Sequence, residues 1–356
     1  MKTLLFTIEY PPFKGGVANY YENLVKFWPE PDNISVLNNN EGKLLKKFIW
    51  PHWLPSFLAL RREIKQKEID HIIVGQLLPL GTVAWLLAKI YRKKYSVVLH
   101  GMDYAFAQKK WRKKILANLI LKNSHTIICA NSYVKYLVQK NLPKLTQIKI
   151  VNPGITTQSA DQQIIQDLKQ KYNLENKIIM LTISRLVKRK GQDQVIAAMP
   201  EINKHVPNLQ YFIAGDGPDR IYLEEKAKDL KNVFFIGKIS DEEKQAWLEL
   251  CDFFTMPTRN IDGDFDGFGI VYLEAAMAHK PVIAGESGGV KDAVQGGITG
   301  ILVNPLDTEK IANASIKLAT EPETRKQLGD KAYERAQRDF RWEDKIKKIH
   351  SAITNQ

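Results

Sequence analysis

Short apolar runs alternate with amphipathic segments from one end of the chain to the other. The first run, KTLLFTIEY, is followed by the loop PPFKGG and by an apolar face at helical spacing from Val17 to Phe27. HIIVG, YSVVLHG and HTIICAN continue the series, and each precedes a helical pattern. Strand and helix patterns in this order predict a parallel, doubly wound α/β sheet, whose loops gather at the carboxyl ends of the strands.

A second series of apolar runs fills the later part of the chain. Its members are KIIMLTISR, LQYFIAGDG, VFFIGKIS, DFFTMPT, PVIAG and GILVNP, again separated by helical patterns. Between the two series, IKIVNPGITT at residues 148–157 is predicted to be a connector, because Pro153-Gly154 breaks regular structure. The length of 356 residues accommodates two domains. We therefore predict two Rossmann-like domains, residues 1–157 and 158–340, with ligands bound at the carboxyl ends of their strands.

Composition excludes several broad classes of protein. Hydrophobic residues make up 44% and charged residues 26% of the chain, values of a globular rather than a disordered protein. Cys129 and Cys251 lie in apolar stretches, which predicts buried reduced thiols and a cytoplasmic protein. The run Met1 to Thr7 is too short for a signal peptide. The charge-free window Ile72 to Ala88 is interrupted by glycine and proline, so it predicts a buried strand and helix rather than a membrane span.

Positive charge is concentrated in the first part of the chain. The first 157 residues carry a net charge of +15 and the rest −2, against +13 for the whole chain. No acidic residue occurs between Asp103 and Asp161, and this gap contains AQKKWRKKILANLILKNS. Apolar residues at 111, 115 and 119 repeat there at a four-residue helical spacing. The basic residues around Trp111 are Lys109, Lys110, Arg112, Lys113 and Lys114.

Two compatible interpretations of this basic segment remain. A helix there covers the sheet and turns a solvated basic face outward, or it lies on anionic lipid headgroups, which attract each basic residue by ~1 kcal/mol. A nucleic-acid site would use the same charge, but no interleaved aromatic residues or recognised binding module accompany it. Trp111 and the basic residues around it are therefore candidates for membrane contact.

The stretch RNIDGDFDGFGIVYLEAA at residues 259–276 has three interpretations. It resembles a calcium-binding EF-hand loop, but the twelfth position of a loop starting at Asp262 is Leu273 instead of the required glutamate. A D-x-D metal site is compatible with the spacing. The favoured interpretation is a helix start that offers free amides at Gly267 to Ile270, with Glu274 about two turns in, where it could accept hydrogen bonds from ribose hydroxyls.

Two cations mark the loop that follows the first strand of the second series. In SRLVKRKGQD, Arg185 and Lys190 straddle a turn that ends in Gly191. They could neutralise a diphosphate without metal, the arginine through a bidentate fork and the lysine as a point charge. Lys188 and Arg189 are expected to be a solvated basic loop.

Two further candidates lie at strand ends in the first series. Gly15 and Gly16 separate the first strand from the first helix, where glycine either lets backbone amides approach a phosphate or serves a steric need of the turn. In LHGMD, His100 and Asp103 follow another strand. A lone histidine is more often structural than functional, so both interpretations of His100 stay open.

Taken together, these motifs resemble those of the retaining GT-B glycosyltransferases of family 4, especially bacterial phosphatidylinositol mannosyltransferases that use GDP-mannose. The resemblance covers nearly the whole chain, through EYPPFKGGVANY, LHGMD, NSYVKYLV, VNPGI, ISRLVKRKGQD, IAGDGPD, GKISDEEK, MPTRNIDGDFDGFGIVYLEAAMAHKPVIAGESGGVKDAV and GILVNP. It implies the GT-B fold, in which two Rossmann-like domains face each other across a cleft. It also implies that the final helix, residues 341–356, returns to the first domain.

The resemblance further implies roles for individual residues. Arg185 and Lys190 would hold the donor diphosphate. Glu274 would bind the ribose, and His100 would touch the transferred sugar. The remaining donor-binding positions would be Gly15, Gly16, Gly237, Lys238, Ile239, Phe268, Gly269, Ile270 and Val271. Asp103 is the candidate on the acceptor side.

One position departs from the family pattern. Asp266 stands where the first glutamate of the Glu-x7-Glu motif is expected, and the second glutamate is Glu274. The shorter side chain withdraws the carboxylate by roughly 1.5 Å, which weakens the expectation that it contacts the sugar hydroxyls. Asp266 is kept among the catalytic candidates.

The expected reaction is a retaining, metal-independent transfer of a hexosyl group, expected to be mannosyl, from a nucleotide-diphosphate sugar to a lipid-linked or glycan acceptor. GDP-mannose is the expected donor, and no cofactor is expected. A UDP-sugar-dependent transferase is the first alternative, a nucleotide-sugar 2-epimerase the second, and a non-catalytic calcium- or lipid-binding protein the third. The expected location is the cytoplasm, with peripheral attachment to the inner face of the plasma membrane.

Overall fold

The computed structural model describes residues 1–13, 15–46, 48, 50–156 and 159–354. They form two compact units. The first comprises Met1–Gly154 and Phe340–Gln356, and the second comprises Ile155–Asp339. The domain boundary predicted between residues 157 and 158 lies outside the described residues.

The first unit is built on a six-stranded parallel sheet in the order β2-β1-β3-β4-β5-β6. Its strands are β1 (Thr3–Thr7), β2 (Ile34–Asn38), β3 (His71–Val74), β4 (Lys94–Leu99), β5 (Thr126–Cys129) and β6 (Ile148–Ile150). Its first six helices are α1 (Gly16–Lys26), α2 (Leu54–Lys67), α3 (Leu80–Tyr91), α4 (Met102–Gln108), α5 (Trp111–Asn123) and α6 (Ser132–Asn141). Every residue of β1, β3 and β5 is buried, as expected for strands covered by helices on both faces.

The second unit has its own six-stranded parallel sheet, in the order β12-β11-β10-β7-β8-β9. Its strands are β7 (Ile178–Ile183), β8 (Leu209–Ala214), β9 (Val233–Gly237), β10 (Phe253–Met256), β11 (Val282–Gly285) and β12 (Gly300–Val303). Its helices are α7 (Gln162–Tyr172), α8 (Gln192–His205), α9 (Arg220–Ala227), α10 (Asp241–Leu250), α11 (Ile270–Met277), α12 (Val290–Ala293), α13 (Thr308–Thr320) and α14 (Pro322–Asp339). The predicted doubly wound α/β architecture is confirmed.

The last helix, α15 (Trp342–Thr354), belongs to the first unit. Its apolar face is buried in a cluster with residues of β1 and α1, among them Leu5 and Tyr20. A side-chain carbon at Gly154 would lie 2.5 Å from the ring of Trp342, so the chain passes close to this helix where the first segment of the unit ends.

Two details of the first unit differ from the sequence expectation. Residues Ile148–Ile150, predicted to be part of a connector, form the edge strand β6 and pair with β5. The strand was missed because it is short and two of its three residues are exposed. The window Ile72 to Ala88 is β3 and α3, as predicted. Over the part of the chain that the structure describes, no helix is both long enough and apolar enough to traverse a lipid bilayer.

Each sheet contains one point at which the strand order reverses. In the first sheet this switch point lies between β1 and β3, and in the second between β7 and β10. The connections on either side of a switch point leave in opposite directions and open a crevice at the carboxyl ends of the two strands, where ligands of open α/β sheets bind. Functional residues are therefore expected in the loops that follow these four strands.

Candidate functional site

The two loops at the switch point of the second sheet pack directly against each other. One follows β7 and contains Lys190 and Gly191, and the other follows β10 and begins at Pro257. Gly191 has φ +80°, and a side-chain carbon there would lie 2.2 Å from the carbonyl oxygen of Pro257. The backbone N–H of Arg259 donates to the carbonyl oxygen of Arg189 at 2.8 Å. Only glycine allows so close an approach, so Gly191 fixes the spacing of the two loops.

A network of ion pairs crosses the same junction. Lys190 Nζ lies 2.8 Å from Asp266 Oδ2, and Arg189 Nε lies 3.3 Å from Asp266 Oδ1. Arg189 Nη1 also lies 3.2 Å from Asp264 Oδ2. Asp266 is only 7% exposed, so its charge is compensated by these cations rather than by bulk water. Asp266, whose side chain is shorter than the expected glutamate, thus binds both Lys190 and Arg189.

The prediction that Arg189 is a solvated loop residue is wrong. Its side chain is 19% exposed and bridges Asp264 and Asp266. Lys188 is exposed, as expected. No neighbouring residue indicates this difference, because the carboxylates that bind Arg189 lie more than seventy residues later in the chain.

A buried ion pair also supports the junction of the two loops. This pair was not predicted from the sequence. Arg259 Nη2 donates to Asp193 Oδ2 at 2.9 Å, and the two side chains are 7% and 9% exposed. Asp193 is the second residue of α8, directly after the loop that carries Lys190. This pair therefore anchors the loop after β10 to the helix after β7.

Arg185 differs from Arg189 and Lys190, which are bound by carboxylates. Its side chain is exposed, and within the described part of the chain it has no ion pair or side-chain hydrogen bond. Because Lys190 is held by Asp266 while Arg185 is not held, Arg185 can reach an added anion without first breaking an internal contact.

Helix α11 starts close to these loops and offers backbone donors. It begins at Ile270, and Gly269 precedes it with φ +80°, where a side-chain carbon would meet the Tyr272 ring at 2.5 Å. The Tyr272 hydroxyl donates to the carbonyl of Met256 at 2.6 Å, which fixes this ring. Among the described residues, the N–H groups of Gly269, Ile270 and Val271 have no backbone partner. Such a helix start favours an anion.

Two predicted donor-binding positions, Phe268 and Glu274, lie on either side of the start of this helix. Phe268 is buried, with 5% of its surface exposed, so its side chain is not accessible to a ligand. Because α11 begins at Ile270, Glu274 lies about one turn into the helix, not two as expected. The difference arises from counting the helix from Gly267, which lies in the loop.

Glu274 has a cationic partner that sequence reasoning missed. Its Oε1 lies 2.9 Å from Lys244 Nζ, and both side chains are about one-fifth exposed. Lys244 also contacts Asp241 at 3.3 Å. Burial lowers the pKa of Lys244, but attraction to Glu274 and Asp241 outweighs it and the pKa is raised. Lys244 is therefore a charged residue that orients Glu274.

The predicted base-reading turn leads directly into the helix that carries Lys244. Gly237 ends β9 with φ +73°, and Lys238 and Ile239 follow it. Lys238 is 82% exposed and lies 3.8 Å from Asp216, while Ile239 is half-buried. Helix α10 then begins at a capping box in which Ser240 and Glu243 bond each other's backbone, which fixes the end of the turn.

In the first unit, the turn after β1 leaves room over the start of α1. A side-chain carbon at Gly16, the first residue of the helix, would meet no described atom within 4 Å. At Gly15 the nearest contact would be an ordinary 3.5 Å. The described chain therefore places no steric demand for glycine at either position, which favours the interpretation that a ligand approaches the backbone there.

His100 lies immediately after β4, packed among aromatic rings. The ring of Tyr20 stands edge-on to it with centroids 5.0 Å apart, and Nε2 lies 2.9 Å from the hydroxyl oxygen of Tyr21. Burial lowers the pKa of His100 to about 4, so the ring is neutral at physiological pH. His100 is therefore uncharged at physiological pH and packs against Tyr20 and Tyr21.

Asp103 lies three residues beyond His100, at the start of α4. Its Oδ1 accepts a hydrogen bond from the backbone N–H of Gly101 at 3.0 Å, and Oδ2 is buried without a hydrogen-bond partner among the described residues. Burial raises the pKa of Asp103 to about 6, partly offset by the N–H of Gly101. Burial and the charge of Asp103 also raise the pKa of Glu9. These carboxyl groups and His100 all follow strands of the first sheet.

The structure excludes the calcium-loop interpretation of residues 262–273. An EF-hand loop follows a helix and needs an oxygen ligand at its twelfth position, but strand β10 precedes these residues and Leu273 at that position is a buried apolar side chain. Asp264 and Asp266 are engaged by arginine and lysine, and the described residues contain no group of three or more His, Cys, Asp or Glu side chains placed to hold a metal ion. Asp262 lies in a tight turn with its side chain exposed.

The basic segment of the first unit comprises the end of α4 and the whole of α5, and the apolar residues that repeat every four positions face outward. Trp111, Ile115 and Leu119 are 68%, 60% and 37% exposed. The residues of α5 that pack onto the sheet are instead Ala117, Ile120 and Leu121. The helix therefore covers the sheet with one face, while the other face presents an apolar stripe. The exposed cations that flank this stripe are Lys109, Lys110, Arg112, Lys113 and Lys114.

Comparison with known proteins agrees with this arrangement. Residues 14–159 match the family model described as "Glycosyltransferase Family 4", and residues 164–335 match the model described as "Glycosyl transferases group 1". The chain is 27% identical to a GDP-mannose-dependent alpha-(1-6)-phosphatidylinositol monomannoside mannosyltransferase of Mycolicibacterium smegmatis, over 92% of this chain and 91% of that one. A monoacylated-substrate mannosyltransferase of Corynebacterium glutamicum, also described as GDP-mannose-dependent, is 28% identical over 96% and 95% of the two chains.

A solved structure shows the same fold. The chain superposes on Anabaena Alr3699/HepE, solved in complex with UDP-glucose, with a TM-score of 0.82. The two chains are 18% identical, and the match covers 99% of this chain and 100% of the other.

Proposed function

The chain belongs to the family 4 glycosyltransferases and has the GT-B fold, and from this premise we propose that it transfers a mannosyl group from GDP-mannose to a lipid-linked or glycan acceptor, with retention of anomeric configuration. The donor is supported by the two curated mannosyltransferases at 27–28% identity, whose descriptions name GDP-mannose. Their descriptions also name a phosphatidylinositol mannoside, which supports a lipid-linked acceptor.

The observation that carries the proposal is the junction of the two switch-point loops. It presents an exposed Arg185, a fixed Lys190 and the amides that open α11, which have no backbone partner among the described residues. An arginine fork, a lysine point charge and a helix start are the groups that proteins use to bind a diphosphate. A nucleotide-diphosphate sugar is the ligand class that uses all three.

The same groups account for catalysis. In glycosyl transfer the costly event is departure of the nucleoside diphosphate while positive charge develops at the anomeric carbon. Cations and amides already fixed around the leaving oxygen lower that barrier, and losing one such donor costs about 3 kcal/mol in comparable sites. The acceptor attacks from the face that the diphosphate leaves, and the departing phosphate oxygen takes the acceptor's proton. In this mechanism Arg185 stabilises the leaving group directly, and no metal ion is required.

The ribose and base would bind beside the diphosphate. Lys244 occupies one lone pair of Glu274 Oε1, and an ionised carboxylate has about four such sites. Glu274 can therefore accept two hydrogen bonds from vicinal ribose hydroxyls while Lys244 holds it. The turn from Gly237 to Ile239 leads into the helix that carries Lys244, and this proximity along the chain supports a role for the turn in binding the base.

An anionic membrane is proposed as the surface from which the acceptor is taken. The stripe of Trp111, Ile115 and Leu119 is exposed, and cations flank it. Apolar rings and lysines on one helical face are the two components of interfacial binding. The proposed site of action is the cytoplasmic face of the plasma membrane.

A UDP-sugar donor is the second candidate, because the superposed Anabaena structure contains UDP-glucose. A screen of GDP-mannose, GDP-glucose, UDP-glucose and UDP-N-acetylglucosamine by thermal shift separates the two, since a ligand stabilises in proportion to the logarithm of its concentration over its dissociation constant. We expect GDP-mannose to give the largest shift. A larger shift with a UDP-sugar would replace the donor assignment.

Turnover is then measured with phosphatidylinositol-containing vesicles and the donor selected by the screen. Mannosylated lipid, formed equally well with and without EDTA, is the expected product. An isomerised nucleotide sugar formed without any acceptor would identify an epimerase instead. Loss of transfer in EDTA that magnesium or manganese restores would overturn the metal-independent mechanism.

A further inference from the structure

Three groups at the carboxyl edge of the first sheet form a chain of hydrogen bonds. The Tyr21 hydroxyl lies 2.6 Å from the carbonyl oxygen of Gly75, and His100 Nε2 lies 2.9 Å from the same hydroxyl. Gly75 directly follows β3, and His100 directly follows β4. Tyr21 projects from α1 and joins the two strand ends.

The directions of these two bonds follow from counting protons. A carbonyl oxygen only accepts, so the single proton of Tyr21 is donated to Gly75. The hydroxyl has no second proton to offer His100, so His100 must donate to it through an Nε2–H. A neutral imidazole carries one proton, which leaves Nδ1 as a bare acceptor.

Neither group ionises near neutral pH. Burial lowers the pKa of His100 to about 4. Burial, with lesser contributions from Tyr20, Asp103 and Glu9, raises the pKa of Tyr21 well above its usual 10. Both imidazolium and phenolate are thus excluded between about pH 5 and 9, and the proton count of the neutral pair holds throughout that range.

Packing keeps the chain of hydrogen bonds in place. A side-chain carbon at Gly75 would lie 2.6 Å from Thr7 Oγ1 and 3.0 Å from the Tyr21 ring, so a larger residue would displace the phenol. The rings of Tyr20 and Tyr21 both stand edge-on to His100, with centroids 5.0 and 5.4 Å away. Nδ1 bonds to no described residue and is not among the polar atoms that are sealed from solvent without a partner.

We propose that Tyr21 is a positioning residue that fixes His100 as the Nε2–H tautomer, so that His100 offers Nδ1 to a hydroxyl group of the transferred sugar. The part that concerns the sugar rests on the proposed function, whereas the tautomer rests on the hydrogen bonds alone. A bare Nδ1 accepts a hydrogen bond from a hydroxyl and repels a phosphate or carboxylate oxygen. His100 therefore recognises a hydroxyl and does not transfer protons.

The tautomer is tested first by nitrogen-15 NMR of the full-length protein labelled at histidine. The two ring nitrogens of His100 are assigned by their loss in His100→Asn. At pH 7 we expect a bare Nδ1 and a protonated Nε2, with no titration above pH 5. A protonated Nδ1, or a titration near pH 6.5, in the wild-type protein overturns the proposal without any variant of Tyr21.

Two matched variants test the role of Tyr21. Tyr21→Phe removes the acceptor of the Nε2–H, so we expect a mixture of tautomers. Tyr20→Phe is the control, because the Tyr20 ring lies beside His100 and its buried hydroxyl has no hydrogen-bond partner among the described residues. A Tyr21→Phe spectrum identical to that of the wild type would show that Tyr21 does not fix the tautomer.

The sugar contact is tested with monodeoxy analogues of the donor. For one analogue, kcat/KM of the wild type should be about tenfold lower than for the unmodified donor. With His100→Asn or Tyr21→Phe the same analogue should lower kcat/KM much less. If each analogue lowers kcat/KM by the same factor in all three proteins, the contact between His100 and a sugar hydroxyl is refuted. The proposed glycosyl transfer is not affected by that result. If no nucleotide sugar is a substrate, the proposed function fails, and the NMR result still decides the tautomer.

Discussion

Lys190 and Asp266 form the ion pair that joins the two loops at the switch point of the second sheet, with 2.8 Å between Nζ and Oδ2. The two side chains are 13% and 8% exposed, so each is the principal counter-charge of the other. A glutamate at position 266 would carry its carboxylate roughly 1.5 Å further from the backbone. The aspartate pairs with the lysine, which makes it a support for the loop that carries Lys190.

Asp266→Asn is expected to weaken both stability and donor binding. It leaves Lys190 and Arg189 without their shared carboxylate, and breaking a buried pair in this way costs about 3 kcal/mol. Urea unfolding and the KM for the donor measure the two effects. Asp262→Asn is the control, since its side chain is exposed in the adjacent turn. Unchanged stability of Asp266→Asn would show that the pair does not support the loops.

Arg185→Ala is expected to lower kcat by 10²–10³-fold, about 3 kcal/mol, because it removes a donor to the leaving diphosphate. Stability should change by less than about 0.5 kcal/mol, since the side chain is exposed and unpaired within the described chain. Lys188→Ala, an exposed cation in the same loop, is the matched control and should keep full activity. Turnover near the wild-type rate in Arg185→Ala would remove it from the mechanism.

Lys244→Met is expected to raise the KM for the donor several-fold with little change in kcat. Without the ammonium group, Glu274 loses the partner 2.9 Å away that orients it, but the leaving-group contacts remain. A donor with 2′-deoxyribose tests whether the effect acts through the ribose. The wild type should bind this donor more weakly than the ribose donor, whereas Glu274→Gln should bind the two donors equally well. Asp241→Asn removes the other contact of Lys244 and serves as the control. A fall in kcat alone would place Lys244 elsewhere in the reaction.

The architecture was predictable because the strands that form the sheet centres are buried on both faces and read as continuous apolar runs. The edge strands were harder. Ile34–Asn38 is half-buried throughout, and Ile148–Ile150 has only three residues, so neither contrasts with a loop. Helical spacing also failed to show which face of α5 is covered. A four-residue repeat marks a face of the helix, but the smaller set that includes Ala117 packs on the sheet.

The candidate site was predictable only as far as its local motifs reach. Arg185 and Lys190 stand in one short loop, where their charges are visible together. The partners that set their roles are distant in sequence: Asp266 is 76 residues from Lys190. The tautomer of His100 depends in the same way on Tyr21, 79 residues earlier. Such pairings follow from the strand order of each sheet, which composition and spacing do not specify.

Charge reversal on the exposed face of α5 is expected to release the protein from anionic vesicles. Lys113→Glu with Lys114→Glu should weaken binding by at least about 2 kcal/mol, roughly thirty-fold, at ~1 kcal/mol per basic residue. Sedimentation with phosphatidylglycerol-containing and neutral vesicles measures it. Lys169→Glu with Lys331→Glu changes the net charge equally through exposed residues of the second unit. An equal loss of vesicle binding in both double variants would refute the proposal that this face of α5 binds anionic membranes. Equal binding of the wild type to both kinds of vesicle would refute it too.

Asp103→Asn is expected to stabilise the protein more at pH 7 than at pH 4. Burial raises the pKa of Asp103 to about 6 from its usual 3.8, so between these values the folded state binds more protons than the unfolded state. Stability contributed by this group is therefore present below about pH 4 and is lost as pH rises to 6, by about 3 kcal/mol.

His100 acts in the opposite direction over the same range, because burial lowers its pKa to about 4, and stability rises with pH as it loses its proton in the unfolded state. The two contributions offset each other in the wild type, so the difference between wild type and Asp103→Asn is the quantity to measure. Urea unfolding of both proteins at pH 4 and pH 7 gives this difference, with Asp262→Asn as an exposed control. A difference that does not grow toward pH 7 would show that Asp103 is not a buried charge.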